Sequence, residues 1–228
     1  METQKLTAVP NFEAALVIFA TFFVSVFLSA ALQLTVGSEI ALIVGELAIL
    51  AVPLTYLLMK RIDIKSYARI HFNPKLLTIG LGCALILLLI DVASTNVLTA
   101  VFGESAAVQQ SNELLTGLSA TPTGLIAVAL SLGLAGVCEE FAFRGFLQNS
   151  LFKNLNRTNP KYAFAVAVTV SAVVFGLFHF DPAGVYTIAA FVSGLALGYI
   201  YHRWGYVASA TAHGGMNLIV LALLMLGI

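Results

Sequence analysis

Charged side chains are scarce in this chain. Lys and Arg together number 11, Asp and Glu number 11, and only 10% of the 228 residues are charged, against about 25% in an ordinary soluble domain. The formal net charge is zero and no basic run exceeds Lys60-Arg61. That excludes nucleic acid as a partner, because phosphate binding needs clustered cations. Cysteine is scarcer still. Cys83 and Cys138 both sit inside apolar runs, where a thiol behaves as a small buried hydrophobe, so no disulfide framework is expected. The first residues, METQKLTAVPNF, lack a strongly positive stretch, and the apolar run behind them is longer than a signal-peptide core, so it reads as a retained helix. Internal repeats and low-complexity linkers are also missing. The chain therefore reads as one integral membrane domain, 1–228, with a motif-bearing core at 124–227.

Apolar residues fill the space left by charge, at 60% of the chain. A span needs about 20 mostly apolar residues to cross about 30 Å of hydrocarbon. Seven runs meet or approach that length: 14–36, 40–59, 76–102, 124–151, 162–180, 185–201 and 207–227. The expected fold is all-α, a polytopic bundle of about seven transmembrane helices. The turn Asp181-Pro182-Ala183-Gly184 should make the 162–201 pair an αα-hairpin.

If all seven runs cross, the N-terminus and the loops 60–75, 152–161 and 202–206 share one face. Lys5, Lys60, Arg61, Lys65, Arg69, Lys75, Lys153, Arg157, Lys161 and Arg203 all fall there, ten of the eleven cations. The positive-inside rule makes that face, and the N-terminus, cytoplasmic. The opposite loops carry Glu39, Glu104, Glu113 and Asp181 and no cation. Dropping one span would scatter the cations over both faces, so charge supports the count. Segment 61–75 should lie along the headgroups, and 104–121 should form a short external amphipathic helix. Short loops suggest a prokaryotic cell membrane.

The eleventh cation, Arg144, lies inside a span. Intramembrane charges cost roughly 2.5–3.5 kcal/mol each on insertion scales, which makes each a functional hypothesis. Glu46 and Asp91 stand alone in sequence and read as structural, bonded to neighbouring helices. The stretch GVCEEFAFRGFL is different. Glu140 and Arg144 stand four apart with the acid first, the favourable order for a helical ion pair. Glu139 points about 100° away, on the face of Phe143, and has no partner on its own helix. A carboxylate left alone in this way suits a general base. Phe175 and His179 repeat the four-residue spacing in the fifth span, as do His213 and Asn217 in the seventh. A lone histidine in a helix is more often a satisfied core residue. Two histidines, an asparagine and Glu139 on three apolar helices have only one another to satisfy them.

In that order, Glu139-Glu140-x-x-x-Arg144, Phe175-x-x-x-His179 and His213-x-x-x-Asn217 resemble the CPBP family of intramembrane glutamic proteases. That family includes the CAAX prenyl endopeptidases and the bacterial Abi-type proteins linked to bacteriocin processing and self-immunity. The resemblance covers about 80 residues, and the first three spans carry no motif. It implies an endopeptidase acting on a membrane-associated peptide or protein, prenylated CAAX-type or bacteriocin-like. It further implies that Glu139 and His179 activate a water and that His213 and Asn217 stabilise the oxyanion. Glu140, Arg144 and Phe175 would support them, and no cofactor is required.

Three rivals stand beside this reading. Glu139, His179 and His213 can supply three zinc ligands with an open position for water, although no HExxH occurs and the histidines lie 34 positions apart. A non-catalytic immunity or scaffold protein would keep the same residues for stability. A transporter would use them as a proton relay, but no repeated half is visible. A thiol mechanism through Cys138 is disfavoured, because neighbouring carboxylates oppose a thiolate. One tension is geometric: on straight helices Glu139 falls near midplane, Asn217 to its cytoplasmic side and His179 to its external side. Tilt, or a fifth helix starting at Asn159-Pro160, would close the gap. The GxxxG pair Gly194 and Gly198 reads as ordinary close packing. Gly214 and Gly215 either open a wall for substrate or serve packing.

Overall fold

A computed structural model describes residues 8–227, all of whose regular elements are helical. Lys5 and most of the stretch METQKLTAVPNF lie outside the described residues. Seven helices are long and apolar enough to cross a membrane, as the apolar runs led us to expect. They are α1 (Asn11–Thr35), α2 (Ser38–Met59), α4 (Pro74–Phe102), the continuous helix Pro122–Thr158, α8 (Pro160–Phe178), α9 (Val185–Trp204) and α10 (Tyr206–Leu226). Two short helices complete the order, α3 (Ile64–Tyr67) and α5 (Ala106–Leu118).

The fourth span differs most from the expectation of 124–151. It starts slightly earlier, with Thr121 accepting the Gly124 amide and Pro122 at the first helical position, and runs on to Thr158. Its middle is not α-helical. Between α6 (Pro122–Glu140) and α7 (Asn149–Thr158), residues Phe141–Gln148 form a π-helical segment. Widening a helix disturbs its backbone hydrogen bonds, and such segments occur often at functional sites. Here side chains take up backbone carbonyls: Ser171 Oγ donates to Phe143 O at 2.8 Å, Ser150 Oγ to Phe146 O at 2.6 Å, and Tyr206 Oη to Val137 O at 2.8 Å.

Helix α10 packs against α4 and α6, α2 against α1 and α6, and α9 against α8 and α4. The π segment is enclosed, with all eight of its residues buried. Glycine permits this. A Cβ on Gly136 would lie 2.3 Å from the Gly214 amide nitrogen, so α6 and α10 touch backbone to backbone. The Gly194/Gly198 pair serves intramolecular packing, against Ala172 of α8 and against Gln148 and Val168 respectively.

Segment 61–75 does not simply lie on the headgroups. Tyr67 and Ala68 are fully buried. Tyr67 Oη meets Ser150 Oγ at 2.6 Å, and Arg69 Nη1 donates to Tyr201 O and His202 O at 3.2 and 3.0 Å. An aromatic and a guanidinium thus plug the segment into the end of the bundle. At that same end Lys60 pairs with Glu13 at 2.8 Å, and the Tyr56 hydroxyl donates to Glu13.

Candidate active site

Glu140 and Arg144 form the expected pair. Arg144 Nη1 donates to Glu140 Oε1 at 2.7 Å with both side chains at 0% exposure. Arg144 Nη2 also donates to Gly194 O at 3.2 Å, and its guanidinium lies 4.3 Å from the Phe175 ring centre. A buried ion pair is tolerated only when further bonds satisfy it, and α9 and α8 supply them. Glu140 does more than neutralise Arg144: the same oxygen lies 3.2 Å from His213 Nδ1. A carboxylate accepts, so Nδ1 carries the hydrogen.

Glu139 is the odd acid, as the spacing implied. It is 8% exposed, and its Oε2 has no hydrogen-bond partner. His213 Nε2 stands 3.9 Å from that oxygen, too far for a hydrogen bond and close enough to share a bound water or carbonyl.

His179 caps the end of α8. Its Nδ1 lies 2.9 Å from Phe175 O. Since a carbonyl only accepts, Nδ1 donates and Nε2 remains the acceptor of the neutral ring. The Phe175 ring centre lies 4.6 Å from His179 and 5.8 Å from His213, joining both imidazoles to Arg144. The turn after His179 is tied down by Asp181, whose carboxylate accepts the Ala183 and Tyr186 amides, both at 3.0 Å. Thr187 Oγ1 accepts the Asp181 amide at 2.8 Å and donates to His179 O at 3.0 Å.

Glu139, His179, His213 and Asn217 all line one cavity of about 470 Å³. The axial offset expected of straight helices therefore closes. Helix α8 starts at Pro160 and returns antiparallel to the π segment, with Ser171 opposite Phe143. From that crossing Glu139 lies about 6 Å along its axis and His179 about 12 Å along the other at 1.5 Å per residue, an offset side chains can span. Asn217 is only partly available, since its Nδ2 donates to Leu132 O at 3.2 Å; its second N–H is free to face the cavity.

Sequence reasoning missed three contributors. Glu46 and Asp91 were expected to bond to neighbouring helices. Neither side chain has a bonding partner among the hydrogen bonds and ion pairs of the described residues, and both line the cavity beside Glu139. Glu46 also faces Glu139 and His179 in an adjoining cavity of about 410 Å³. Tyr186 stands edge-on to His179 with ring centres 5.2 Å apart. Its signal was available in the short hairpin turn, which must return α9 beside His179. Helix α5 contributes Val108, Ser111, Asn112 and Leu115, so this short amphipathic helix roofs the cavity. The zinc alternative meets a specific geometry: among the described residues no three His, Cys, Asp or Glu side chains gather as a metal site. Cys138 is buried and unpaired and does not line the cavity.

Fold and site together define an integral membrane protein with acidic and imidazole groups gathered in a cavity between its spans. Residues 121–219 match the family model described as Rce1-like, type II CAAX prenyl endopeptidase. The match encloses all three motifs and supports the resemblance they carry, to the CPBP/CAAX family of membrane proteases. No curated protein and no solved structure matches the chain.

Proposed function

We propose that the protein is an intramembrane endopeptidase of glutamic type, hydrolysing a peptide bond of a membrane-associated substrate without a metal. One observation carries the reading: a buried carboxylate oxygen with no partner, on Glu139, faces the cavity lined by His179, His213 and Asn217. Glu139 takes the proton of a water that His179 Nε2 helps to orient, and the water oxygen attacks the scissile carbonyl. Charge develops on the carbonyl oxygen, where the free N–H of Asn217 and Nε2 of His213 face it. For Nε2 to donate while Nδ1–H serves Glu140, the His213 ring must carry both protons. Glu139 then returns its proton to the departing amine, so no covalent intermediate forms.

The substrate is a CAAX-type segment with a lipid anchor or a bacteriocin-like precursor, a choice that rests on the family. We place the cation-bearing end on the cytoplasmic side of a prokaryotic cell membrane, on the distribution of Lys and Arg. The scaffold reading draws on one observation, the Arg144–Glu140–His213 chain that ties three helices together.

The test is cleavage of a library of tagged membrane peptides by the purified protein in liposomes. Cleavage by wild type that persists in chelator and is lost in His179→Ala supports the proposal. Loss in chelator with recovery on adding zinc would establish the metal mechanism instead. No cleavage of any peptide, with a cellular phenotype that survives Glu139→Ala, would establish the scaffold.

A further inference from the structure

A second cavity, of about 330 Å³, lies at the cation-bearing end of the bundle, away from the candidate active site. Arg69, Gln148, Lys153, Phe164, Tyr201 and His202 line it. Its two basic side chains have no acid beside them. Among the described residues no carboxylate pairs with Arg69 or Lys153. Arg69 Nη1 donates to the carbonyls of Tyr201 and His202, and its guanidinium lies 5.4 Å from the Tyr201 ring centre. Lys153 Nζ rests 3.4 Å from Tyr67 O and 3.9 Å from the Tyr67 ring centre. Neutral acceptors hold these groups in place without cancelling their charge.

One further observation points to a ligand. Gln148 is 3% exposed; its Nε2 donates to Gly198 O at 3.0 Å, while its Oε1 has no partner. The site thus offers positive charge together with a buried acceptor that needs a donor. Phe164 forms one wall, and Tyr199, 54% exposed, stands edge-on to it, with ring centres 6.4 Å apart, on the outer surface. The polar pocket therefore continues into an aromatic, bilayer-facing strip.

We propose that this cavity binds the phosphate of an anionic phospholipid headgroup, with Arg69 and Lys153 on the phosphodiester and Gln148 Oε1 accepting a headgroup hydroxyl. Basic pockets between spans suit such headgroups. Because Gln148 closes the π segment that begins beside Glu140, an occupied pocket would brace the helix that carries the candidate site.

Thermal unfolding of the purified full chain in mild detergent, titrated separately with phosphatidylglycerol, phosphatidylcholine and inorganic phosphate, tests this. Phosphatidylglycerol should raise the midpoint saturably and phosphatidylcholine should not. Lys153→Gln should weaken the phosphatidylglycerol response about fivefold, and Arg69→Gln should do the same if it folds. Lys65→Gln and Lys75→Gln, which remove exposed charges on the same face, should leave it unchanged. Equal responses to the two lipids, or equal weakening by the control variants, would overturn the proposal. A full response to millimolar inorganic phosphate alone would assign the site to a soluble anion and overturn it as well.

Discussion

A single oxygen of Glu140 holds Arg144 at 2.7 Å and lies 3.2 Å from His213 Nδ1. The two adjacent acids thus have separate roles. Glu140 fixes a cation on its own helix and an imidazole on α10, while Glu139 faces open space. Removing Glu140 leaves a guanidinium at 0% exposure without its counter-charge. Glu140→Ala should destabilise the protein by about 3–5 kcal/mol, read as a lower unfolding midpoint in detergent. Glu140→Gln should retain more stability, because the amide oxygen still accepts from Arg144.

The α6–α10 contact sets the distance between both glutamates and His213. Gly136→Ala would drive its Cβ to 2.3 Å from the Gly214 nitrogen and 2.7 Å from Ala210 O, all backbone. Overpacking of this kind costs about 1–3 kcal/mol, and the helices must separate to relieve it. We expect peptide cleavage to fall well beyond the loss of folded protein. Gly133→Ala on the same helix meets nothing within 4 Å and should be neutral.

Asp181 holds the turn behind His179, outside the spans. Burial pushes its carboxyl up, but the Tyr186 and Ala183 amides outweigh burial and hold it below its ordinary 3.8. A lowered folded value means that the stabilisation is complete above about pH 4 and is lost as pH falls through the folded value. Asp181→Asn should therefore cut the rate at neutral pH by about tenfold, one misplaced hydrogen bond at about 1–1.5 kcal/mol. It should also abolish the additional acid-side loss expected of wild type below about pH 4.

Glu46 lines both cavities with Glu139 and has a buried oxygen without a partner. Glu46→Gln removes no hydrogen bond or ion pair of the described residues, so the unfolding midpoint should hold or rise. If Glu46 only fills space, the pH profile of cleavage will be unchanged. We expect it to move, because one of the three acids (Glu46, Asp91 and Glu139) that line these cavities with His179 has gone.

The sequence was most informative where chemistry is expensive in lipid. Seven apolar runs, ten cations on one face and the four-residue spacing of Glu140 and Arg144 all point to a bundle with a buried ion pair, and the helices and the pair are there. The spacing argument also singled out Glu139, because a rotation of about 100° separates neighbours on any helix. What stayed hidden depends on contacts between segments. The π segment has no local signature in FAFRGFLQ. The burial of Tyr67 follows from Ser150 and Asn149, which lie 83 and 82 positions away. Glu46 and Asp91 lie on helices without a motif, and only packing brings them to the cavity.

The mechanism stands or falls on Glu139, and the isosteric variant isolates its charge. Glu139→Gln keeps size and shape and disturbs no hydrogen bond at Oε2, so the protein should fold with an unchanged midpoint. A general base contributes about 10²- to 10⁴-fold. Single-turnover cleavage of a membrane peptide by Glu139→Gln in liposomes should therefore fall by at least about 100-fold relative to wild type. Cleavage at the wild-type rate by that folded variant would rule out Glu139 as the base.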